Sequence, residues 1–535
     1  MLEDQLDKKV QIMNSPFKGI LHTNTVPSDE DLQRIHDLLK EPRKEAAALS
    51  VEIERLRALI HQLIQKRDDL EGFIHAHEAL TSPARRLPAD IIAEIFTACM
   101  PSNRNAIMST AEAPLLLCRV CRAWRDVALS TPRLWASLHI VAHSDHGETG
   151  PDSKLRKVIK AIDSWLSRSG VLPLSISLVR SWTAKEVDFR PFLETLVPYS
   201  SRWNRIRFEL ETSFSFEPMG ALSPSDVPSL EVASIDGFET LDEEVDWRTV
   251  SFLGTPSLRS LLLRHMASSF LAFPVPWNQL RHLSFGEKLT AAQALEMLRQ
   301  CPNLETCFLN LNNSLVSASG LHPVRMDHLR RLCLSFLYLG RGAPRTDLLE
   351  YLDVPNLKCL EYAADDVAEF SLKSLLTTLK CLECLRLRIE NEHATESVIG
   401  CLRLVPTLRE LAFCYDTALG KDFWTSMTPT VDDKPIVCPQ LQIMKFRWFT
   451  VTSDNEVLEF IQARNGSHSS NIARLSKVHM QFNRRREIDI VSALQPNIVE
   501  GLDFSMHYGY SPSEDRESHT IGGEVSSQWW ASDDY

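Results

Sequence analysis

The chain has 535 residues, of which 44% are apolar and 24% charged, a balance that excludes a mostly disordered polypeptide. Lys and Arg number 58 against 70 Asp and Glu, a formal charge of −12, so the chain as a whole has no attraction for nucleic acid or an anionic membrane. No run approaches the ~18 apolar residues of a membrane span, the opening MLEDQLDKKV lacks the apolar stretch of a secretory signal, and only 19 glycines are present, few for an enzyme that cradles phosphates.

Residues 1–28 are polar and read as a flexible start. A helical segment follows over 29–82, with Ser28 as its cap and Asp29, Glu30 and Asp31 in the first turn. Pro42 is expected to interrupt this helix or open the next one. From 43 to 80 the pattern is heptad: Leu49, Ile53, Leu56, Ile60, Leu63, Arg67, Leu70, Ile74 and His77 alternate in steps of four and three. Such a stripe favours a coiled-coil seam. It either pairs two chains through residues 43–80 or folds against its own chain.

Ser82-Pro83 ends the segment. Over 83–139, Pro88 opens a helix carrying Ile91, Ile92, Ile95 and Phe96, and Pro101 stops it. After a polar loop, Pro114 opens a second helix whose Leu115, Leu116, Leu117, Val120, Cys121, Trp124, Val127 and Ala128 cover more than half the circumference. Thr131-Pro132 breaks it, and Leu134 and Trp135 close the module. About 50 residues cannot bury that much apolar surface alone. A helix apolar on more than one side needs a second surface, supplied by the downstream chain and by an outside partner.

Four pieces in order, Leu87-Pro88, Ile91…Ile95-Phe96, RVCRAWRDVA from Arg119 to Ala128 and STPRLWASL from Ser130 to Leu138, resemble the F-box in the form common in fungal F-box proteins. The resemblance implies an adaptor that docks on a Skp-family linker protein and, through it, on a cullin scaffold with a RING subunit. It implies linker-facing contacts at Leu87, Pro88, Ile91, Ile95, Leu116, Val120, Trp124, Leu134 and Trp135. The competing assignment puts Trp135 and Phe96 in an internal core. The loop from Met100 to Ala113 is longer than in the compact form of the family; it either weakens docking or bulges outward.

Residues 140–227, with PLSISLV at 173 and WNRIRFEL at 203 around the helix KVIKAIDSWLSRSG, read as degenerate first repeats or a capping layer. From 228 to 510 one phrase recurs, a polar start followed by L-x-x-L-x-L, anchored at Leu230, Leu258, Leu280, Leu304, Leu329, Leu357, Leu382, Leu408, Leu441 and Leu475. Most intervals fall in or near the roughly 20–29 residues of leucine-rich repeats. Helical stretches such as TAAQALEMLRQC, EFSLKSLLTTL, ESVIGCLRLV and DNEVLEFIQARN lie between the copies. The fold class expected is therefore α/β: an N-terminal coiled-coil-like helical segment, a short all-α F-box, then an irregular leucine-rich-repeat solenoid with parallel strands. The third and fifth positions of each phrase face its inner curve. From that row Leu262, His282, Phe308, Arg331, Glu361, Arg386, Glu410, Lys445 and Lys477 are the candidate contacts to a protein substrate. The row is mixed in charge, which suits a protein ligand better than nucleic acid. Residues 511–535 are acidic, Ser-rich and expected to be disordered, with Trp529-Trp530 as an unassigned aromatic pair.

The twelve cysteines are scattered, as expected of reduced thiols in the cytosol or nucleus. Cys118/Cys121 and Cys381/Cys384 each have the spacing of half a zinc site, but no second pair completes four ligands. No GxGxxG after a strand, GxxxxGK[ST], HExxH or GxSxG occurs. The chain thus reads as a non-enzyme without cofactor or metal: a substrate-recognition adaptor of an SCF-type ubiquitin ligase, or else a leucine-rich-repeat scaffold whose F-box is only an internal cap.

Overall fold

A computed structural model describes residues 15–142, 151–181, 187–210, 217–237, 247–264, 274–311, 322–336, 347–364, 371–389, 395–414, 419–429, 436–449, 452–466, 471–482 and 484–508. The acidic tail with Trp529-Trp530 lies outside the described residues. The chain divides into two units, Met1–Pro88 and Ala89–Tyr535.

The first unit is dominated by helix α1, Asp29–Thr81. The Ser28 hydroxyl accepts from the Asp31 N–H at 3.3 Å and starts the helix. Contrary to the sequence expectation, α1 runs straight through Pro42. The proline removes one backbone bond, the one to the Leu38 carbonyl, and the many good helix formers on either side carry the helix past it. Ion pairs one turn apart, Arg55–Glu52 at 2.8 Å and Arg57–Glu54 at 2.7 Å, lie along it. The turn Pro83–Arg86 follows.

The second unit begins with three short helices: α2 at Ala89–Ala98, α3 at Leu117–Val120 and α4 at Arg122–Leu129. One continuous helix was expected where α3 and α4 stand. Cys121 breaks it by adopting an extended conformation, and its sulfur then caps α4 by accepting from the Trp124 N–H at 3.4 Å. A 3-10 turn at Pro132–Trp135 leads into strand β1, Ser137–Ala142.

From β1 onward the chain is one solenoid. Strands β1, β2 (Leu174–Arg180), β3 (Trp203–Leu210), β4 (Val232–Gly237), β5 (Ser260–Arg264), β6 (His282–Leu289) and β7 (Thr306–Leu311) are followed by the short β8 (Val324–Arg325), then β9 (Arg331–Phe336) and the short β10 (Leu352–Asp353). The series continues through β11 (Cys359–Ala364), β12 (Cys384–Ile389), β13 (Glu410–Cys414), β14 (Ile443–Phe449), β15 (Lys477–Phe482) and β16 (Asp503–Tyr508). Fourteen of them form one sheet in chain order, and β8 pairs with β10 in a two-stranded sheet of its own. Pairs such as β1–β2, β5–β6 and β15–β16 are parallel. Return segments carry helices α5 (Pro151–Arg168), α6 (Arg190–Leu196), α7 (Ala291–Gln300), α8 (Ser371–Thr378), α9 (Thr395–Leu402), α10 (Lys421–Met427) and α11 (Asp454–Gly466). Among the described residues, no helix is long and apolar enough to cross a membrane.

The repeat phrase explains this architecture. Its first leucine, from Leu230 to Leu475, is buried in all ten copies. The fourth and sixth positions are buried too, as at Leu261 and Leu263 or Leu385 and Leu387. The period-two alternation points them to the helix-covered face. The second position stitches neighbours together. The N–H of Arg281 donates to the carbonyl of Arg259, Glu305 to Arg281, Arg330 to Glu305, Lys358 to Arg330 and Glu383 to Lys358, all at 2.7–2.8 Å. Each repeat is thus held in phase with the one before it.

The helical module seals the first edge. Trp135 is buried, donates its indole N–H to the Ala128 carbonyl at 2.9 Å, and meets Trp165 of α5 edge-on with ring centroids 4.8 Å apart. Leu134 and Trp135 were among the expected linker contacts. Both belong instead to the core that joins module to solenoid, because the turn that carries them leads straight into β1. The Met100–Ala113 loop packs inward. Arg104 pairs with Glu112 at 2.5 Å, Ala106 is buried, and the His139 N–H on β1 donates to the Ala106 carbonyl at 2.7 Å. The His139 donor on this edge strand therefore has its partner within the chain.

Truncating Trp135 removes an aromatic shared by the helical module and the first return helix of the solenoid. Trp135→Ala is expected to lower stability by about 3–5 kcal/mol, read as a drop in the urea midpoint of the full chain; a loss below about 1 kcal/mol would show that the junction does not hold the module in place.

Candidate functional site

Two surfaces carry the residues singled out by sequence. The first is the outer side of the helical module. On α2, Ile92 and Phe96 turn inward, and Phe96 stacks edge-on against Trp124 of α4 at 5.0 Å. Ile91 and Ile95, one position earlier in each turn, point the other way and are exposed by 45% and 44%. Leu116 and Val120, four residues apart around α3, are likewise exposed. Trp124 is half-buried. Helices α2, α3 and α4 pack as one body, so four large aliphatic side chains and one edge of an indole are presented by a single module. A stripe of this kind on a folded unit is costly in water unless something covers it. Leu87 and Pro88, the remaining expected contacts, end the first unit and are exposed.

The second surface is the open face of the sheet, opposite the leucine ladder. The strand register places the expected substrate contacts in two rows. One row runs Leu262, Ser284, Phe308, Cys333, Glu361, Arg386, Ala412, Lys445 and His479 across β5 to β15. The adjacent row runs His282, Thr306, Arg331, Cys359, Cys384, Glu410, Ile443 and Lys477 over the same strands.

These rows divide into zones. Leu262 and Phe308 are half-buried apolar side chains separated by Ser284. Beside them the His282 ring nitrogen Nδ1 lies 2.7 Å from the Thr306 hydroxyl, and burial holds its pKa below the ordinary histidine value. From β9 to β14 the charged residues meet one another. Arg331 lies 3.8 Å from Glu361, Arg386 lies 3.0 Å from Glu410, and Lys445 lies 3.6 Å from the same Glu410 oxygen. At the last strands Lys477 is 3.5 Å from Asp503. The alternating signs let side chains lie flat across the face, so Glu361 and Arg386 are themselves buried although they are on the open side. Five expected contacts thus pair within the face, Arg331 with Glu361 and Arg386 and Lys445 with Glu410, and their charges are spent largely on each other. Burial pushes the Glu361 carboxyl up to about 7, with Arg331, a hydrogen bond involving Cys333, and Arg386 pulling the other way.

One feature of this face escaped sequence reasoning. Cys359 and Cys384 occupy the third position of successive repeats, face each other in register, and bring their sulfurs to 3.2 Å. The hydrogen bond between the two thiols, with Arg386 and Arg331 adding to it, holds Cys359 below the usual thiol value. The CxxC spacing of Cys381 and Cys384 pointed to the wrong neighbour; the signal was the repeat interval. Among the described residues no cluster of three or more His, Cys, Asp or Glu is placed to hold a metal ion.

No protein-family model and no curated protein sequence matches the chain. Among solved structures, a crystal structure of a TLR13–ssRNA13 complex aligns at 15% identity over 52% of this chain and 45% of that chain, with a TM-score of 0.21. The chain thus spans less than half the length of that protein, and a superposition this loose bears on neither site.

Glu361 gives the open face a pH signature. A carboxyl whose folded pKa is raised favours the folded state only while protonated; that contribution is full below about 4.5 and lost as pH rises to about 7. Relative to Glu361→Gln, the parent chain is therefore expected to lose on the order of 2–3 kcal/mol across that interval. Urea midpoints of both proteins at pH 4.5 and pH 8 test this, and a constant difference between them would contradict it.

Proposed function

We propose that the chain is a substrate-recognition adaptor of an SCF-type cullin–RING ubiquitin ligase, with the helical module docking on a Skp-family linker and the open face of the solenoid holding a protein substrate. The observation that carries this reading is the pair of exposed aliphatic couples, Ile91/Ile95 and Leu116/Val120, on a module whose other side is already fixed to the solenoid. A cap needs only its inward face to be apolar; these four side chains remain 43–56% exposed. The F-box resemblance supplies the identity of the partner, and Leu87 and Pro88 stand beside them in the sequence motif. Catalysis of ubiquitin transfer would rest with the recruited subunits. The adaptor's contribution is to raise the local concentration of the carrier beside the substrate. The zoned face suits a protein ligand, with Leu262 and Phe308 as apolar anchors beside a polar strip.

The scaffold reading has one observation in its favour. The Met100–Ala113 loop, Leu134 and Trp135 are all used in closing the first edge of the sheet, as an internal cap would require. It leaves the outer aliphatic face without a role.

A binding assay with purified Skp-family linker separates the two. The full chain is expected to bind, and Ile95→Asp with Val120→Asp is expected to weaken binding by about 100-fold or more, since each charge would be buried unpaired. The same variant should keep its urea midpoint within about 1 kcal/mol of the parent, both sites being exposed. No binding by the parent chain would favour the scaffold.

A further inference from the structure

Helix α1 presents a second apolar stripe, and its chemistry specifies what covers it. In heptad terms, Ile53, Ile60, Arg67 and Ile74 occupy the a positions, and Leu49, Leu56, Leu63, Leu70 and His77 the d positions. Ile53, Ile60 and Ile74 are about half exposed, as are Leu49, Leu63 and Leu70. β-Branched residues at a with leucine at d are the combination that packs in parallel two-stranded coiled coils. Position g holds Glu52, Leu59, Lys66 and Phe73, and position e holds Arg57, Ile64, Glu71 and Glu78.

In a parallel, in-register pair each g residue faces the e residue five positions later on the other chain. Glu52 then meets Arg57, Leu59 meets Ile64, Lys66 meets Glu71, and Phe73 meets Glu78. Two of these contacts are opposite in sign, one is apolar on both sides, one sets an aromatic ring against a carboxylate, and no like charges meet at the g and e positions. An antiparallel alignment of the same layers sets either Arg57 against Ile64 and Lys66 against Leu59 or, shifted by one heptad, Arg57 against Glu71 but Lys66 against Lys66. Arg67 adds a register mark. In the in-register pair it faces its own copy with Glu71 one turn away, and the two are 3.6 Å apart within a chain. A shift by one heptad would instead set Arg67 against Ile60 and Ile74. A single polar a residue fixes register in this way at some cost in stability.

We infer that the occupant of the α1 stripe is a second copy of this chain, joined in a parallel, in-register coiled coil over residues 49–78. The inference is independent of the ligase reading. Joined to it, a dimer places two receptor faces on one assembly and makes the second contact to a bivalent substrate intramolecular.

The test uses two charge-reversed full-length chains and light scattering after size exclusion at micromolar concentration. The parent chain is expected at twice the chain mass. Chain one carries Arg57→Glu and Lys66→Glu; chain two carries Glu52→Lys and Glu71→Lys. Each alone sets like charges at both g–e contacts that were opposite in sign and is expected to self-associate at least tenfold more weakly than the parent. Mixed, they restore every opposite-sign contact and should form a heterodimer, which also shows that both are folded. A monomeric parent, variants that dimerise alone as well as the parent does, or a mixture that stays monomeric would each overturn the proposal, the second and third by excluding the parallel in-register pairing.

Discussion

A strand of five or six residues with leucine on one face cannot shield that face alone. It needs a strand on each side to continue the core and a return segment to lie over it. Every other feature of the second unit follows from that requirement. The anchor leucines from Leu230 to Leu475 are buried because the repeats stack in chain order. The second-position ladder through Arg259, Arg281, Glu305 and Arg330 keeps them in phase. The first strand has no earlier repeat, so the helical module supplies one: Trp135 against Trp165, and Ala106 bonded along β1. The module is therefore structural on its inward side and left with a spare apolar side, which is what gives it room for a partner.

The open face solves a different problem. A row of charged side chains on adjacent strands, roughly 5 Å apart, would repel if the signs agreed. Arg331, Glu361, Arg386, Glu410 and Lys445 avoid this by meeting neighbours of opposite sign, and the resulting closeness dries Glu361 until its carboxyl titrates near 7. Such a strip offers little net field to a ligand. The apolar pair Leu262 and Phe308 stands apart from it, where covering a side chain releases water without breaking an ion pair.

Much of this was legible in the chain itself. The leucine phrase located the repeats and the side to which each strand residue points, since a period of two permits no other arrangement once the first leucine is buried. The helices at α5, α7, α8, α9 and α11 followed from the change of period between copies. What was not legible depended on contacts distant in sequence. Strand β1 was hidden because SLHIVA follows the LW of the helical module without a break, and only pairing with β2 reveals it. Leu134 looked outward by resemblance and is buried, as is Trp135, for which an internal core was the competing assignment. Pro42 reads as a break by local propensity, and the helix absorbs it. The burial of Glu361 and Arg386 required knowing which side chains lie beside them, a matter of register between repeats. The facing of Cys359 and Cys384 required the same knowledge.

Because the strands of the main sheet stack in chain order, distance along the polypeptide and distance across the open face rise together. A growing chain can complete one repeat after another as it leaves the ribosome, with few contacts waiting on residues yet to be made. The same linearity makes the face editable: duplicating or losing a unit lengthens or shortens it while leaving the remaining repeats in their old company, so a lineage could change that surface without rebuilding the rest.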